Sequence, residues 1–261
     1  MGDDLEDEFV RRGMSVLADL KKGDPQARKR LQQLFPELEK AAESGHVEAQ
    51  ALAAGFALDY LNDPPTALKF FQRAADAGNA AAQRGLGYML VNGVGVERDL
   101  PRAAGLFQSA AESGDAVAAF NLGNLLLNGQ GVTKDEQCAL SLLKDAKDGG
   151  VAHAGLRLGD WHAERGEERL ARECYLDAAE GGVPVAMLKA GSYCREGVGG
   201  NIDRVQAVRW YLRALDFGNG DGVHDAIATA RLMSDTEVRE AARLAGREPD
   251  AEALLKAARK Q

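Results

Sequence analysis

One short phrase recurs through most of the sequence and constrains the fold more than any other feature. Two small residues, a spacer and a glycine are followed by an alanine four residues after the glycine. The successive copies begin 33, 36, 36, 32 and 36 residues apart, at Ala41, Ala74, Ala110, Ala146, Ala178 and Ala214. A period near 36 residues provides for two helices and two turns. We therefore predict a stack of helix pairs, in which each pair packs only on its neighbours.

The first helix of each predicted pair begins at the alanine that follows the glycine. In the clearest copy Ala118, Leu122 and Leu126 are four residues apart, which places them on one helical face. Four copies carry a glycine five positions after the alanine, namely Gly87, Gly123, Gly159 and Gly191. Because glycine inside a helix costs about 1 kcal/mol relative to alanine, its recurrence predicts that two helices cross too closely for a side chain.

A glycine-rich turn leads to the second helix in three copies, at residues 92–96, 128–132 and 196–200. Its first glycine suits a left-handed helix C-cap. The second helix then opens after an aspartate suited to the helix N-terminus. These aspartates are Asp99, Asp135 and Asp203. A large pair such as Trp210-Tyr211, flanked by alanines, is expected to fill the layer between the units.

The whole pattern resembles the Sel1-like repeat family, whose members are related to tetratricopeptide repeats. It combines leucine-glycine, tyrosine, glycine-x-glycine-valine, aspartate, tryptophan-tyrosine and alanine-alanine-glutamate-x-glycine. The resemblance covers about residues 45–218 and is clearest in units 82–114, 118–150 and 186–218. It implies an all-α fold, a right-handed α-α superhelical solenoid of helix pairs. Units 49–78 and 154–182 depart from the pattern, because they lack the glycine turn.

The ends of the chain are predicted to be helical caps around about five repeats. The expected divisions are 1–44 for the N-terminal cap, 45–218 for the repeats and 219–261 for the C-terminal cap. Cap helices are expected at residues 5–21, 25–43, 222–231, 234–245 and 249–260. Ser234 with Glu237 predicts a capping box. Such atypical ends cover the apolar faces that a solenoid would otherwise expose.

Charge and composition argue against several classes of partner. The net charge of −8 disfavours nucleic acid and anionic membranes, which attract basic faces. No apolar stretch approaches the roughly 20 residues that span a bilayer, and the acidic N-terminus is unlike a secretory signal. We therefore expect a cytoplasmic protein. The odd, widely spaced set of Cys138, Cys174 and Cys194 predicts free thiols used as small core residues.

No group of residues predicts a catalytic, metal or cofactor site. Asp160, His162 and Glu164 are alternate residues of a helix and do not share a face. His162 replaces a core leucine, so a buried, hydrogen-bonded histidine is the favoured interpretation. Acidic residues near Asp221 loosely suggest calcium, but an EF-hand loop needs a longer ligand set ending in glutamate. We predict that the chain is not an enzyme and binds no cofactor.

A binding groove is the feature that a helical solenoid offers instead. In the family the first helices line it. We predict that the groove is lined by the residues three, six and ten positions after the repeat alanine. The residue at the seventh position is expected to lie on the border between the core and the groove. The candidate residues are Tyr88, Asn92, Asn121, Asn124, Asn128, Arg157, Asp160, Trp161, Lys189, Ser192 and Tyr193. Amides bond peptide backbone and aromatic rings supply contact area. The alternatives are tolerated surface positions for the asparagines, and packing for Trp161 and Tyr193.

These observations favour a protein-binding scaffold or adaptor, monomeric in isolation, whose partner is another protein or peptide. A sharper version, which the resemblance implies, is a bacterial immunity protein that neutralises a toxin, and the acidic charge would suit a basic partner. The competing hypothesis is a hydrolase-like or small-ligand-binding member of the family. The relatives associated with that activity have disulfide-paired repeats, which this chain lacks. Self-association through an end unit is a third possibility.

Overall fold

The structure, a computed structural model, describes residues 2–260, with side chains described from residue 7 onward. Fifteen α-helices and two short 3-10 segments account for its secondary structure, and no strand occurs among these residues. The α-helices are α1 Gly2–Lys21, α2 Ala27–Ser44, α3 Val47–Asp59, α4 Pro64–Asp76, α5 Ala80–Asn92, α6 Leu100–Glu112, α7 Ala116–Asn128, α8 Glu136–Asp148, α9 Ala152–Ala163, α10 Glu168–Glu180, α11 Pro184–Glu196, α12 Arg204–Ala214, α13 Gly222–Ala230, α14 Asp235–Leu244 and α15 Ala251–Arg259. The predicted all-α class is confirmed.

The helices form two compact units, which we call the N-terminal unit, ending at Leu142, and the C-terminal unit, beginning at Leu143. The core of the N-terminal unit is one continuous cluster that includes Phe56 and Phe70. The C-terminal unit has two clusters, one around Trp210 and one that α12 shares with the closing helices. Each unit therefore buries its own apolar side chains.

The glycine at the fifth position allows the two helices of a pair to pack closely. A Cβ atom built on Gly87 would lie 2.6 Å from the ring of Phe107 on the second helix of the same pair. The same distance separates a Cβ on Gly159 from the ring of Tyr175. Gly191 repeats the arrangement against Tyr211 at 2.6 Å. The predicted close crossing is confirmed at Gly87, Gly159 and Gly191, where the side chain that leaves no room for a Cβ is the second member of the large pair.

The second glycine of each long turn makes a different contact, with the start of the preceding second helix. A Cβ on Gly95 would lie 2.7 Å from Pro64, at the start of α4. Gly131 approaches Leu100 in the same way, and Gly199 approaches the backbone of Glu168. These glycines also have positive φ angles, which side chains rarely adopt. In these three repeats the turn therefore packs against the repeat before it.

Side-chain caps define where most of the repeat helices begin. In each, a side chain accepts a hydrogen bond from the backbone N–H three residues later, an interaction that contributes about 1 kcal/mol. The capping residues are His46, Asp63, Asn79, Asp99, Asp115, Asp135 and Asp203. The three predicted aspartate caps are among them. The predicted capping box of Ser234 and Glu237 is present at α14.

Both units without the glycine turn, 49–78 and 154–182, keep the same helix pairing. Helices α9 and α10 cross at Gly159 and Tyr175, although only residues 164–167 join them. All three cysteines have free thiols, as predicted. The prediction that all three are core residues is wrong, because Cys138 is exposed and Cys174 is only half-buried. Cys194 alone is a buried core residue. No helix of the described residues combines the length and apolar character needed to cross a membrane.

Candidate functional site

The predicted lining residues lie on α5, α7, α9 and α11, as expected, and they fall into two groups. The group in the N-terminal unit, which we call the amide face, consists of Tyr88, Asn92, Asn121, Asn124 and Asn128. The group in the C-terminal unit consists of Arg157, Asp160, Trp161, Lys189, Ser192 and Tyr193. The two groups differ in how far their polar atoms are already bonded within the protein.

Asp160 is the centre of a bonded cluster in the C-terminal unit. Its Oδ1 atom accepts hydrogen bonds from the hydroxyl of Tyr175, at 2.8 Å, and from Nζ of Lys189, at 2.9 Å. The Lys189 ammonium lies 5.1 Å from the centre of the Tyr175 ring. Tyr193 packs edge-on against Tyr175 and donates its hydroxyl to Glu168 at 2.9 Å. We call these residues, Asp160, Glu168, Tyr175, Lys189 and Tyr193, the tyrosine cluster.

The tyrosine cluster changes the acidity of its two phenols. Burial, followed by the hydrogen bond to Asp160, raises the pKa of Tyr175 far above its usual value. Burial and the hydrogen bond to Glu168 raise the pKa of Tyr193 to about 12. Both hydroxyls therefore keep their protons as hydrogen-bond donors near neutral pH. The cluster joins α9, α10 and α11 and engages three of the predicted lining residues within the protein.

Trp161 is half-buried and has one polar atom unsatisfied. The guanidinium of Arg165 lies over its ring, 3.8 Å from the centroid, and the His162 ring meets its edge. Its Nε1 is buried without a hydrogen-bond partner among the described residues. His162 was expected to be buried and hydrogen-bonded. It is hydrogen-bonded but only partly buried, because 19% of its side chain is exposed. Its Nδ1 lies 2.5 Å from a carboxylate oxygen of Glu167, in the short turn after α9.

The amide face is more open. Half of the Tyr88 side chain is exposed, and Asn92 and Asn128 are exposed as well. Asn92 donates its amide N–H to the backbone carbonyl of Tyr88 at 2.9 Å. In the described part of the chain, neither the Tyr88 hydroxyl nor the Asn121 side-chain amide has a hydrogen-bond partner. Asn124 already interacts within the protein.

Side chains at equivalent positions of the two groups differ in their contacts. Asp160 lies six residues after the repeat alanine of α9, and Lys189 lies three residues after that of α11. Their contact shows that the sixth position of one first helix meets the third position of the next first helix. In the N-terminal unit these positions hold Tyr88 and Asn121. At these two positions Asp160 and Lys189 are therefore bonded to each other, whereas the Tyr88 hydroxyl and the Asn121 amide have no hydrogen-bond partner among the described residues.

Sequence reasoning missed Tyr175 and Glu168, because both lie on a second helix. Tyr175 is the second member of the large pair, where the preceding repeats have Phe107 and Leu143. A tyrosine at this position, together with a carboxylate at the sixth position of the first helix, is the signal that could have identified this contact. Outside both groups, clefts of about 630 Å³ and 440 Å³ lie beside Arg98 and beside Gly150. In the described residues, no three metal-ligating side chains come together.

Comparison with known families finds the Sel1 repeat in four segments of the chain. They are residues 49–79, 80–115, 116–151 and 184–219, which together cover more than half of the sequence. The segments leave out residues 152–183, where α9 and α10 nevertheless pair as in the other units. No curated protein matches the sequence.

Among solved structures, a Sel1 repeat protein from Oxalobacter formigenes is similar, with 28% identity and a TM-score of 0.68. The match covers 74% of this chain and 58% of that one, so the chain spans less than two thirds of its length. The Pseudomonas aeruginosa protein PA5086 shares 19% identity at a TM-score of 0.54, over 84% of this chain and 83% of its own. The immunity protein PA5088 of the same organism has 21% identity and a TM-score of 0.49, over 74% and 69%.

Proposed function

We propose that this chain, which belongs to the Sel1 repeat family, is a non-enzymatic scaffold or adaptor that holds a protein or peptide partner on its first helices. Proteins of this family typically serve as scaffolds for protein interactions. The observation that carries the proposal is the amide face, because Tyr88 and Asn121 present an aromatic ring and an amide without partners in the described residues. Such groups are common in protein interfaces.

A finer form of the proposal concerns the partner's charge. The chain carries a net charge of −8, and a field of this sign accelerates association with a basic protein. A toxin-neutralising immunity protein would use this charge to capture one basic toxin in a 1:1 complex. An adaptor would instead bind several proteins more weakly. The two forms therefore differ in stoichiometry and in the number of partners.

The proposal is tested by affinity capture of the tagged full chain from lysate of its source organism. The double variant Tyr88→Ala/Asn121→Ala removes the open groups, and Lys189→Glu disrupts the tyrosine cluster. Gln108→Ala is the matched control, because Gln108 is exposed on the second helix α6 and bonds only Glu112 within the described residues. A stoichiometric protein that the wild type and the control retain and one variant loses would support a first-helix binder.

Two results would count against the proposal. Capture of no protein above background would remove the scaffold function, and equal capture by every variant would move the interaction away from the first helices. The finer form needs two further measurements on the captured protein, its molar ratio by light scattering and its toxicity with and without this chain. A partner that is not toxic alone, or not rescued by this chain, would exclude the immunity function.

A further inference from the structure

The exposed side of α1 carries a pattern of charges that is complementary to itself. We infer that two copies of this chain associate through α1, with the two helices antiparallel and Met14 of each copy at the two-fold axis. The inference is independent of the proposed function. It gives a definite geometry to self-association through an end of the chain, and it departs from the monomer expected from the sequence.

One stripe of α1 is not packed against the rest of the N-terminal unit. Its residues are exposed and lie alternately four and three positions apart, which places them on one side of the helix. We call them the α1 stripe: Asp7, Arg11, Met14, Ala18 and Lys21. The other side of the helix faces the core, where Val16 is only 7% exposed. Met14, in the middle of the stripe, is 55% exposed, so a large apolar side chain there remains in contact with water.

The charges of the α1 stripe are symmetric about Met14. Asp7 lies seven residues before Met14 and Lys21 seven residues after it, which is about 10 Å along the helix axis in each direction. A second α1 that runs antiparallel therefore brings its Lys21 to Asp7, its Asp7 to Lys21 and its Met14 to Met14. A parallel α1 would bring like charges together, so the charges select the antiparallel arrangement.

Both charged residues of the α1 stripe can accept a new partner. Asp7 is 66% exposed, and only its Oδ1 atom has a described contact, at 3.2 Å from Nε2 of His46. Lys21 forms no hydrogen bond or ion pair within the described residues. Burial raises the pKa of Asp59 on α3, and the nearby charge of Lys21 opposes that rise without forming an ion pair. The two-fold axis would form two Asp7–Lys21 pairs at once.

The other residues of the α1 stripe allow the two helices to approach closely. Ala18 is small and would lie opposite Arg11 of the second copy. Nε of Arg11 donates to the backbone carbonyl of Asp7 at 3.4 Å, so this side chain lies along its own helix. The helix dipole favours acidic residues at the start and basic residues at the end of any helix. It does not account for an exposed methionine midway between them, which a second copy would cover.

The interface is small, because each copy contributes one side of one helix. A contact of this size lies at the low end of protein interfaces, below about 1,200 Å² of buried surface. We therefore expect a weak dimer in equilibrium with the monomer. Its ion pairs are at the surface, so added salt should weaken the association.

Sedimentation velocity of the full chain at about 10 to 500 µM, a range suited to so small an interface, measures the association. We expect a reversible monomer–dimer equilibrium. Met14→Lys places like charges at the two-fold axis and should abolish the dimer. Leu232→Lys is the matched control, because it makes the same change at a residue of the C-terminal unit that is 68% exposed. This control should leave the association unchanged.

Exchange of the two charges tests the antiparallel arrangement. Asp7→Lys and Lys21→Asp should each weaken the association about tenfold, because each change breaks both symmetric ion pairs. The double variant Asp7→Lys/Lys21→Asp should restore it to within about threefold of the wild type, since opposite charges face each other again. The rescue cannot come from His46, because the double variant does not restore its contact with a carboxylate.

Disulfide formation tests the position of the two-fold axis. Both variants are made in a chain with Cys138→Ser, which removes the exposed native thiol. Met14→Cys should give a covalent dimer on mild oxidation, because two copies of this position would lie within reach of a disulfide. Ser15→Cys, which is exposed but one residue further round the helix, should not.

Three outcomes would overturn the inference. They are a chain that stays monomeric over the whole range, a dimer that Met14→Lys leaves intact, and a double variant that associates no better than the single ones. Circular dichroism of each variant checks that the fold is kept. The result is separate from that of lysate capture. A monomer that captures a protein would keep the scaffold function and reject this contact, and a dimer that captures none would do the reverse.

Discussion

The close crossing of paired helices predicts opposite effects for two glycine-to-alanine changes in one helix pair. Gly87 in α5 and Gly105 in α6 are both inside helices, so alanine should favour the folded state by up to about 1 kcal/mol at each through helix propensity. At Gly105 a new Cβ would meet nothing within 4 Å. Gly105→Ala should therefore raise the free energy of unfolding by about 0.5–1 kcal/mol.

At Gly87 the same methyl group has no room. It would lie 2.6 Å from Cε1 of Phe107, whereas carbon atoms in contact are about 3.5–4.0 Å apart. The Phe107 ring is only 2% exposed, so it would have to move about 1 Å within a packed core. Overpacking of this kind costs about 1–3 kcal/mol. After the propensity gain, Gly87→Ala should lower the free energy of unfolding by about 0–2 kcal/mol.

Urea denaturation followed by far-UV circular dichroism measures both variants against the wild type. Circular dichroism is the suitable signal because both tryptophans, Trp161 and Trp210, lie in the C-terminal unit, whereas the two changes are in the N-terminal unit. The two variants should differ by about 1–3 kcal/mol. If Gly87→Ala stabilised the protein as much as Gly105→Ala, the glycine would not be required by the Phe107 contact, and the packing argument would be wrong.

Three further predictions concern the C-terminal unit. Tyr175→Phe should cost about 1.5–3 kcal/mol in urea unfolding, because it removes a hydrogen bond to the Asp160 carboxylate, whereas Tyr211→Phe should be neutral or stabilising, because that buried hydroxyl has no partner in the described residues. Burial raises the pKa of Tyr193 and of Tyr211 to about 12, so both phenols ionise more readily in the unfolded chain; the free energy of unfolding should therefore fall between pH 10 and 12, as urea unfolding measured in that range would show. Gly199→Ala should lower the melting temperature more than Gly87→Ala does, because its Cβ would overlap backbone atoms of α10 at a positive φ; an unchanged melting temperature would contradict the docking of the turn.

The sequence was sufficient for the features that depend on spacing alone. The fifth-position glycines, the aspartate caps and the helix pairing all follow from a period that repeats with fixed residue types. The structure confirms the contacts at Gly87, Gly159 and Gly191, the three aspartate caps, and the pairing of α3 with α4, α5 with α6, α9 with α10 and α11 with α12. Helix ends were less exact: the helix predicted from residue 25 begins at Ala27, and the one predicted from 249 begins at Ala251. At both places proline near the start made the boundary predictable only to within a turn.

The candidate site was harder to predict, because the sequence pattern of one helix does not show which side chains of the neighbouring helices contact it. The third position was predicted to line the groove. A Cβ on Gly85, at that position in α5, would instead lie 2.5 Å from the Phe71 ring of the preceding second helix. Lys189 at the same position lies over the ring of Tyr175. The availability of these side chains therefore depends on a residue of another helix, which the pattern of the first helix does not contain.

The second member of the large pair determines which interactions are available to these positions. In α6 it is Phe107, which has no polar atom to offer, and Tyr88 and Asn121 remain without partners in the described residues. In α10 it is Tyr175, whose hydroxyl holds Asp160 in place for the Lys189 ammonium. A tyrosine alone does not produce the closed state, because the buried hydroxyl of Tyr211, in the next repeat, is itself unpartnered within the described chain. The hydroxyl also needs a hydrogen-bond acceptor at the sixth position of the first helix. Asp160 is that acceptor for Tyr175. In the next repeat the sixth position is Ser192, which bonds Glu196 and not Tyr211. The bonded cluster of α9, α10 and α11 therefore requires both residues together, a tyrosine on the second helix and a carboxylate at the sixth position of the first helix.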